Sequence, residues 1–259
     1  MFSFRVVRPT SRTGMGCAGL VLLTDQAVSV QLPGVEQSTV GRMPTWSHTE
    51  RTDIAQTLRA VGPQAPTLCQ DWNALRLLSH LVLRENRVDA LVGMVLPFAA
   101  GYTERLQRQL EQRYGFDGLV QRFADGPPRW SPLRIAAVDE AVNVIEHFTH
   151  HEDLRRAQPG WVARELPPGY QAALWNRLRR LAKVLTRRAA PLRLVAPGYG
   201  DLVITSKTAP GAAPMETVTV TAPPSELVLF CYGRQTHSTA QLLGAADRIT
   251  QLRSAKLGF

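Results

Sequence analysis

Two pairs of metal-binding side-chain types occur in residues 138–157, a segment without proline or glycine. Glu146 and His150 are four residues apart, so on an α-helix they lie on one face, on adjacent turns. A carboxylate and an imidazole placed in this way point toward one position and are ligands that zinc accepts. His147 and His151 form a rival pair with the same spacing, rotated by about 100° around the helix. A third ligand elsewhere in the chain must decide between the two pairs.

The same segment carries two stripes at helical spacing. The apolar stripe, which we expect to face the core, consists of Val138, Ala141, Val142, Ile145 and Phe148. The polar stripe consists of Asp139, Asn143, Glu146, His150 and Asp153. On the helix alone, the polar stripe is most simply a solvated face. If it instead lines a site, its members besides Glu146 and His150 are groups that orient the ligands.

The composition limits the classes of function. The chain of 259 residues is 44% hydrophobic and 20% charged, as in soluble globular proteins, and no apolar run approaches the roughly 20 residues that cross a bilayer. Three widely spaced cysteines, Cys17, Cys69 and Cys231, argue against a disulfide framework or a cysteine zinc site and indicate a cytoplasmic protein. The net charge is +9, but leucines interleave the densest basic run, at residues 177–188, as on the outer face of a packed helix. We expect no nucleic-acid or membrane partner.

The changes in periodicity along the chain predict three parts and an α+β fold. Residues 1–43 are expected to be a flexible extension, or to precede the true start at Met43. Residues 44–190 are expected to form helices, the first of which begins with a capping box of the S-x-x-E type at residues 47–50. Residues 191–259 contain three β-type runs, a hairpin turn at residues 198–201 and two short helices, which predict a small α+β domain.

The helix predicted from residue 74 to about residue 92 offers a third ligand. His80 lies between Leu77 and Leu81 on its inward face. A lone histidine on an apolar face is more often hydrogen-bonded in a core than bound to a metal. Together with Glu146 and His150, however, it makes a His₂Glu set without an obvious fourth ligand, which is the pattern of an open catalytic zinc site.

At these residues the sequence resembles the DinB-like superfamily. The matching segments are residues 71–82, with an Asp-Trp pair and then L-L-S-H-L-V, and residues 146–157, with an E-x-x-x-H helix that runs into Asp-Leu. The closer similarity is to the mycothiol-dependent maleylpyruvate isomerase N-terminal group, and within it to a sister subfamily described as metal-binding proteins. The resemblance implies a four-helix bundle that holds a divalent metal through His80, Glu146 and His150, followed by a small α+β domain.

The resemblance also implies an activity. Members of the superfamily are similar to thiol transferases and isomerases, in which the metal activates a mycothiol-type thiol, and others look like metal-dependent hydrolases. We expect zinc, although nitrogen and carboxylate ligands also allow nickel, iron or manganese. The partner would be a small-molecule electrophile, and the protein a monomer or homodimer. In the non-enzymatic alternative, His147, His151 or Asp153 closes the fourth metal position of a binding module.

Three further residues are candidates for catalysis beside a metal-bound water or thiol. Arg84 lies one turn beyond His80, and Arg234 lies in the C-terminal part; either could hold an anionic substrate. His151 could act as an acid or base. The commoner roles are salt bridges for the two arginines and exposure for the adjacent pair His151 and Glu152, and these are the roles that we expect.

Overall fold

The computed structural model describes residues 45–86, 100–189, 191–205 and 216–258. This part of the chain is an α+β structure with seven α-helices and a four-stranded sheet. The predicted extension at residues 1–43 lies outside the described residues. The helices are α1 (Trp46–Val61), α2 (Ala74–Asn86), α3 (Ala100–Asp125), α4 (Ala136–Arg156), α5 (Pro168–Leu185), α6 (Pro224–Cys231) and α7 (Ala246–Ser254).

The sheet comprises β1 (Leu192–Ala196), β2 (Gly200–Ile204), β3 (Val218–Thr221) and β4 (Gln241–Leu243), in the order β2-β1-β3-β4. The predicted hairpin joins β1 and β2 as antiparallel neighbours, and its Gly198 and Gly200 have the positive φ angles that a tight turn favours. β3 runs parallel to β1, and β4 pairs antiparallel with β3. The β-type runs read from the sequence are therefore confirmed as strands.

Helix ends follow the glycines and prolines of the sequence. α1 ends where Gly62 takes φ +81, and α4 ends before the Gln158-Pro159-Gly160 stretch. α3 is broken into a long and a short helical piece at Gly115, which has φ +62. None of the helices in the described ranges is long and apolar enough to traverse a lipid bilayer.

α4 lies between two hydrophobic cores, and this position decides where the site forms. One core joins α5, α6 and the sheet, and includes Val144, Ile145 and Phe148 of α4. The other joins α1, α2 and the second part of α3, and includes Leu154. A helix packed on both sides must bury polar residues as well as apolar ones, so its polar groups need partners from neighbouring elements.

Part of the orientation that the sequence predicts for α4 is wrong, and the packing of this helix on both sides is the reason. Ile145 and Phe148 are buried, but Ala141 and Val142 of the predicted apolar stripe are exposed. The polar stripe is not a solvated face, since Asp139, Asn143 and Asp153 are buried and Glu146 and His150 are half-buried.

The predicted capping box is also wrong. Ser47 and Glu50 both lie inside α1 and are buried, and the cap is Thr45, whose hydroxyl accepts from the backbone N–H of His48. Ser47 instead donates its hydroxyl to Asp139 over 2.7 Å. His48, in the first turn of α1, is exposed.

Candidate metal centre

The structure brings His80, Glu146 and His150 together from two helices. One ligand atom of each lies within 4.8 Å of those of the other two. His150 Nε2 is 3.5 Å from Glu146 Oε2, and the rings of His80 and His150 meet edge to face with centroids 5.2 Å apart. Two imidazoles and a carboxylate at this separation are a donor set that suits zinc in an open site.

The loop between α1 and α2 packs against this cluster. Its Leu68 N–H donates to the Asp153 carbonyl oxygen over 2.9 Å, which ties the loop to α4. Asp71 takes φ +62, a left-handed conformation that Asp tolerates better than most residues. The next residue, Trp72, places its ring 5.0 Å from that of His80. The Asp-Trp segment therefore helps to fix the orientation of the first imidazole.

Asp153 determines which nitrogen of His150 is available. His150 Nδ1 lies 3.0 Å from Asp153 Oδ2. The pKa of the Asp153 carboxyl lies well below its ordinary value, because hydrogen bonds from His150 and Arg234 outweigh the opposing effect of burial. The ionised carboxylate accepts, so Nδ1–H donates to it and Nε2, which faces Glu146, is the nitrogen left for a metal. A carboxylate on the far nitrogen is the arrangement that orients metal-binding histidines.

A second group of potential ligands shares His150 and consists of Cys69, His150 and Asp153. Its charge is already compensated, because Arg234 donates to both carboxylate oxygens of Asp153 over 2.7 and 2.6 Å. The same guanidinium lies 3.6 Å from Cys69 Sγ, which donates to Asp153 over 3.1 Å. A guanidinium is permanently charged and repels a second cation. The guanidinium nearest the other group, that of Arg84, is farther away, at 3.8 Å from Glu146 Oε1, so the group with His80 and Glu146 is the better candidate for a metal.

The protonation states of the three residues follow from their burial and from their neighbours. Burial lowers the pKa of His80 to about 3, and the charge of His150 acts in the same direction, so His80 is a neutral donor. Burial works against ionisation of Glu146, but the hydrogen bond from His150 and the positive charges of Arg84 and His150 act together against it and hold the pKa of the carboxyl far below its ordinary value. Burial likewise opposes protonation of His150, yet its hydrogen bonds to Asp153 and Cys69 raise the pKa well above its ordinary value. Without a metal His150 therefore carries a proton that a metal ion would have to displace on binding.

The cluster opens on a cavity of about 620 Å³, which is the size of a small-molecule site. The wall is formed by residues of the loop before α2, of α2 and α4, and of two C-terminal segments: Leu68, Cys69, Gln70, Trp72, His80, Glu146, Thr149, His150, Tyr232, Gly233, Arg234, Leu257 and Gly258. Gly233 has φ +87, and a Cβ there would lie 2.8 Å from the Leu257 carbonyl oxygen. This part of the cavity wall therefore requires glycine at position 233, because its backbone lies directly against the backbone of Leu257.

His147, the first member of the rival pair, is part of a packed ionic cluster. It is fully buried, with Nε2 2.9 Å from Glu85 Oε1 and Nδ1 3.0 Å from the Ser47 carbonyl oxygen. Glu85 also binds the guanidinium of Arg51, which donates to Asp139 over 3.1 Å. Both ring nitrogens are therefore occupied by protein groups, and His147 does not face the cavity.

His151 is buried as well, and the expectation of an exposed His151 and Glu152 is wrong. His151 Nδ1 lies 2.5 Å from Glu50 Oε1, and Nε2 lies 2.9 Å from the Thr57 hydroxyl. Glu152 is fully buried and binds Arg156 of its own helix over 2.5 Å. These residues face the two cores rather than the cavity, because α4 is packed on both sides.

The two candidate arginines are ion-paired, as expected. Arg84 donates to Asn143 Oδ1 and lies 3.8 Å from Glu146 Oε1, so it contacts the back of a ligand carboxylate rather than the cavity. Asn143 in turn donates to Asp139 over 2.6 Å. Arg234 is paired with Asp153 but does line the cavity. Hydrogen bonds thus link Asp139 and Asn143 to Arg84, and an ion pair links Arg84 to Glu146.

Cys69 and Thr149 also line the cavity, but they were not among the site residues predicted from the sequence. A signal existed for each: Cys69 stands three residues before Trp72, and Thr149 stands beside His150 on the same helix.

Comparison of the chain with family models, with curated proteins and with solved structures gives no match. The functional interpretation therefore depends on the residues and geometry of the site.

Proposed function

We propose that the chain is a DinB-like four-helix-bundle protein that binds one divalent metal, zinc, through His80, Glu146 and His150. The observation that carries the proposal is the convergence of these three donors, within 4.8 Å of one another, on a cavity of about 620 Å³. The residues fit the group: a neutral imidazole, an ionised carboxylate and a second imidazole with its far nitrogen bonded to a carboxylate suit zinc. The same set accepts nickel, iron or manganese.

We further propose an enzymatic role, as a thiol transferase or isomerase that acts on a small electrophile with a mycothiol-type thiol. When bound, the metal would lower the pKa of the thiol so that a nucleophilic thiolate is present near neutral pH. The resemblance of residues 71–82 and 146–157 to thiol-dependent enzymes of the superfamily supports this assignment. The reaction also requires a cavity beside the metal that holds the thiol and the electrophile, and the cavity at His150 is large enough for small molecules.

The residues around the metal position have definite tasks in this proposal. Asp153 accepts from Nδ1 of His150 and keeps Nε2 directed at the metal position. Arg84 contacts Glu146 and helps to keep its carboxylate ionised. The loop before α2 and the Tyr232–Arg234 segment enclose the cavity and reduce the access of water to it.

The metal part of the proposal is tested by metal content. Mass spectrometry of the purified wild type should give about one equivalent of zinc or a related metal per chain. The metal should be lost in each of His80→Ala, Glu146→Ala and His150→Ala. It should be kept in His48→Ala, which replaces a histidine at an exposed position. A wild type that binds no metal after reconstitution would contradict the proposal.

The thiol part is tested by turnover of electrophiles with and without a low-molecular-weight thiol. Thiol-dependent turnover that is lost in His80→Ala is the expected result. Equal turnover without thiol would favour the alternative of a metal-dependent hydrolase, in which the metal activates water. A metal-loaded protein without turnover of either kind would favour a non-enzymatic binding module.

A further inference from the structure

Thr149 has a buried hydroxyl without a hydrogen-bond partner in the part of the chain that the structure describes. It lies on α4 beside His150, and only 2% of the residue is exposed. In the described ranges just two buried side-chain atoms lack a partner, Thr149 Oγ1 and Gln107 Nε2. Of these two residues, Thr149 lines the cavity at the candidate metal site. The unpaired hydroxyl therefore belongs to a residue of the cavity wall, beside the candidate ligand His150.

The missing partner is informative because a threonine in a helix has one close at hand. Its hydroxyl commonly donates to the carbonyl oxygen three or four residues earlier, which satisfies the donor within the helix. Thr186 does so in this structure, at 2.7 Å from the Ala182 carbonyl oxygen. Thr149 does not, although a buried hydroxyl without a partner costs about 1–3 kcal/mol. Such a cost is recovered when a bound molecule supplies the acceptor.

We propose that the Thr149 hydroxyl donates a hydrogen bond to the ligand in the cavity and selects small molecules that carry an acceptor beside their metal-binding group. An amide or ketone carbonyl next to a thiol is the chemical class. The hydroxyl has one O–H to donate and a carbonyl oxygen can only accept, so the chemistry of the pair fixes the direction of the hydrogen bond. The inference rests on the proposed metal and thiol binding at the same site.

The experiment compares two thiols of nearly equal shape. 2-Mercaptoacetamide carries a carbonyl acceptor next to its thiol, and 2-methylpropane-1-thiol is its hydrocarbon counterpart. Both are titrated into cobalt-loaded protein, in which thiolate binding is followed by the thiolate-to-cobalt absorption band. Wild type is compared with Thr149→Ser, which keeps the hydroxyl, and with Thr149→Val, which replaces it by a methyl group of similar size.

Thr149→Val should bind mercaptoacetamide about fivefold more weakly than wild type, the effect of one neutral hydrogen bond. Its affinity for methylpropanethiol should be unchanged, and Thr149→Ser should bind both thiols as wild type does. Without ligand, Thr149→Val should melt no lower than wild type, because it removes an unpaired buried hydroxyl. Thr149→Ala serves in its place if the valine variant does not fold.

Three results would overturn the inference. Equal binding of mercaptoacetamide by wild type and Thr149→Val would show that the hydroxyl does not contact the ligand. A lower melting temperature with equal weakening of both thiols would show a structural role. Absence of the thiolate band with either thiol in cobalt-loaded wild type would refute thiol binding together with the inference. Metal content, measured separately, shows whether the metal part of the proposed function fails as well.

Discussion

Two faces of α4 carry histidines and acids of the same types, yet they differ in what surrounds them. The cleft face, Glu146, His150 and Asp153, borders the cavity through its first two residues, and 26% of the Glu146 side chain and 12% of the His150 side chain are exposed. The packed face, His147, His151, Glu152 and Arg156, is buried between the two cores. Residue type and spacing are similar on the two faces, so their difference must come from the neighbouring elements.

The packed face is saturated by protein partners. Each nitrogen of its two histidines has a hydrogen-bond partner, and Glu152 binds Arg155, Arg156 and Arg164. Such networks hold elements in register, and they are costly to break because the remaining charge stays buried. On the cleft face the donor atoms converge next to open space, so a metal ion or a ligand can reach and bind them. The comparison teaches that a potential metal ligand must be judged by its protein partners and by the open space beside it, rather than by its residue type.

The largest effect is expected from a break in the packed face. Arg156 lies between Glu152 and Glu226, both at 2.5 Å, and its guanidinium stacks 4.7 Å above the Trp161 ring. Arg156→Ala leaves the buried Glu226 without its partner and should lower the free energy of unfolding by about 3–5 kcal/mol. Urea denaturation measures this loss.

The matched control is the neighbouring residue Arg155, whose side chain is 22% exposed and also binds Glu152. Arg155→Ala should cost no more than about 1 kcal/mol, as for a pair that solvent screens. Equal effects of the two substitutions would mean that the packed face is not a cooperative network. Folded Arg156→Ala should still bind metal, because the cleft face does not use this residue.

Acid should weaken the packed face through Glu50. Burial opposes ionisation of this carboxyl, but the hydrogen bond from His151 and the charge of Arg164 lower its pKa from 4.5 to about 2. A depressed pKa stabilises the folded state above the unfolded pKa, and the contribution is lost as the pH falls from about 4.5 toward 2. The lost stability amounts to at most about 3 kcal/mol.

The measurement is urea denaturation between pH 7 and pH 3. Glu50→Gln should be less stable than wild type at pH 7 and should lose less stability on acidification. Glu165→Gln, at an exposed position, should follow the wild-type pH dependence. If Glu50→Gln loses as much stability on acidification as wild type does, Glu50 is not the group that titrates.

Asp153→Asn should affect the cleft face in a different way, by weakening metal binding. It removes the charge that accepts from His150 Nδ1 and binds Arg234. Loss of a carboxylate that orients a metal-binding histidine typically lowers metal affinity about 10–100-fold. Competition with a chromophoric chelator measures the dissociation constant. Glu140→Gln on the same helix, whose carboxylate accepts from Ser47 N–H instead, is the control; unchanged affinity in Asp153→Asn would contradict the assigned role.

Local periodicity and turn residues were sufficient to predict the elements and to place Glu146 and His150 on one helix face. His80 lies on another helix, and it was joined to them through its donor chemistry and through the resemblance of residues 71–82 and 146–157. The sequence was not sufficient for the burial of α4. The partners of its packed face are remote in the chain: Glu50 is 101 residues from His151, and Glu226 is 70 residues from Arg156. No local pattern encodes such pairs, so the acids of α4 were expected to be solvated. Thr149 was missed because an unpaired hydroxyl is visible only once its surroundings are known.

Cys69→Ser should have the smallest effect and tests which group of ligands around His150 holds the metal. Serine keeps a donor for Asp153, so metal affinity should change by no more than about fivefold, the worth of one hydrogen bond. Cys231→Ala removes the other described free thiol, which is fully buried and does not line the cavity, and should also keep the metal. If Cys69→Ser alone abolishes both metal binding and a thiolate band present in cobalt-loaded wild type without added thiol, the metal binds Cys69, His150 and Asp153. Arg234 would then have to leave the position that it occupies between Cys69 and Asp153, and the cleft face would be a closed site rather than an open one.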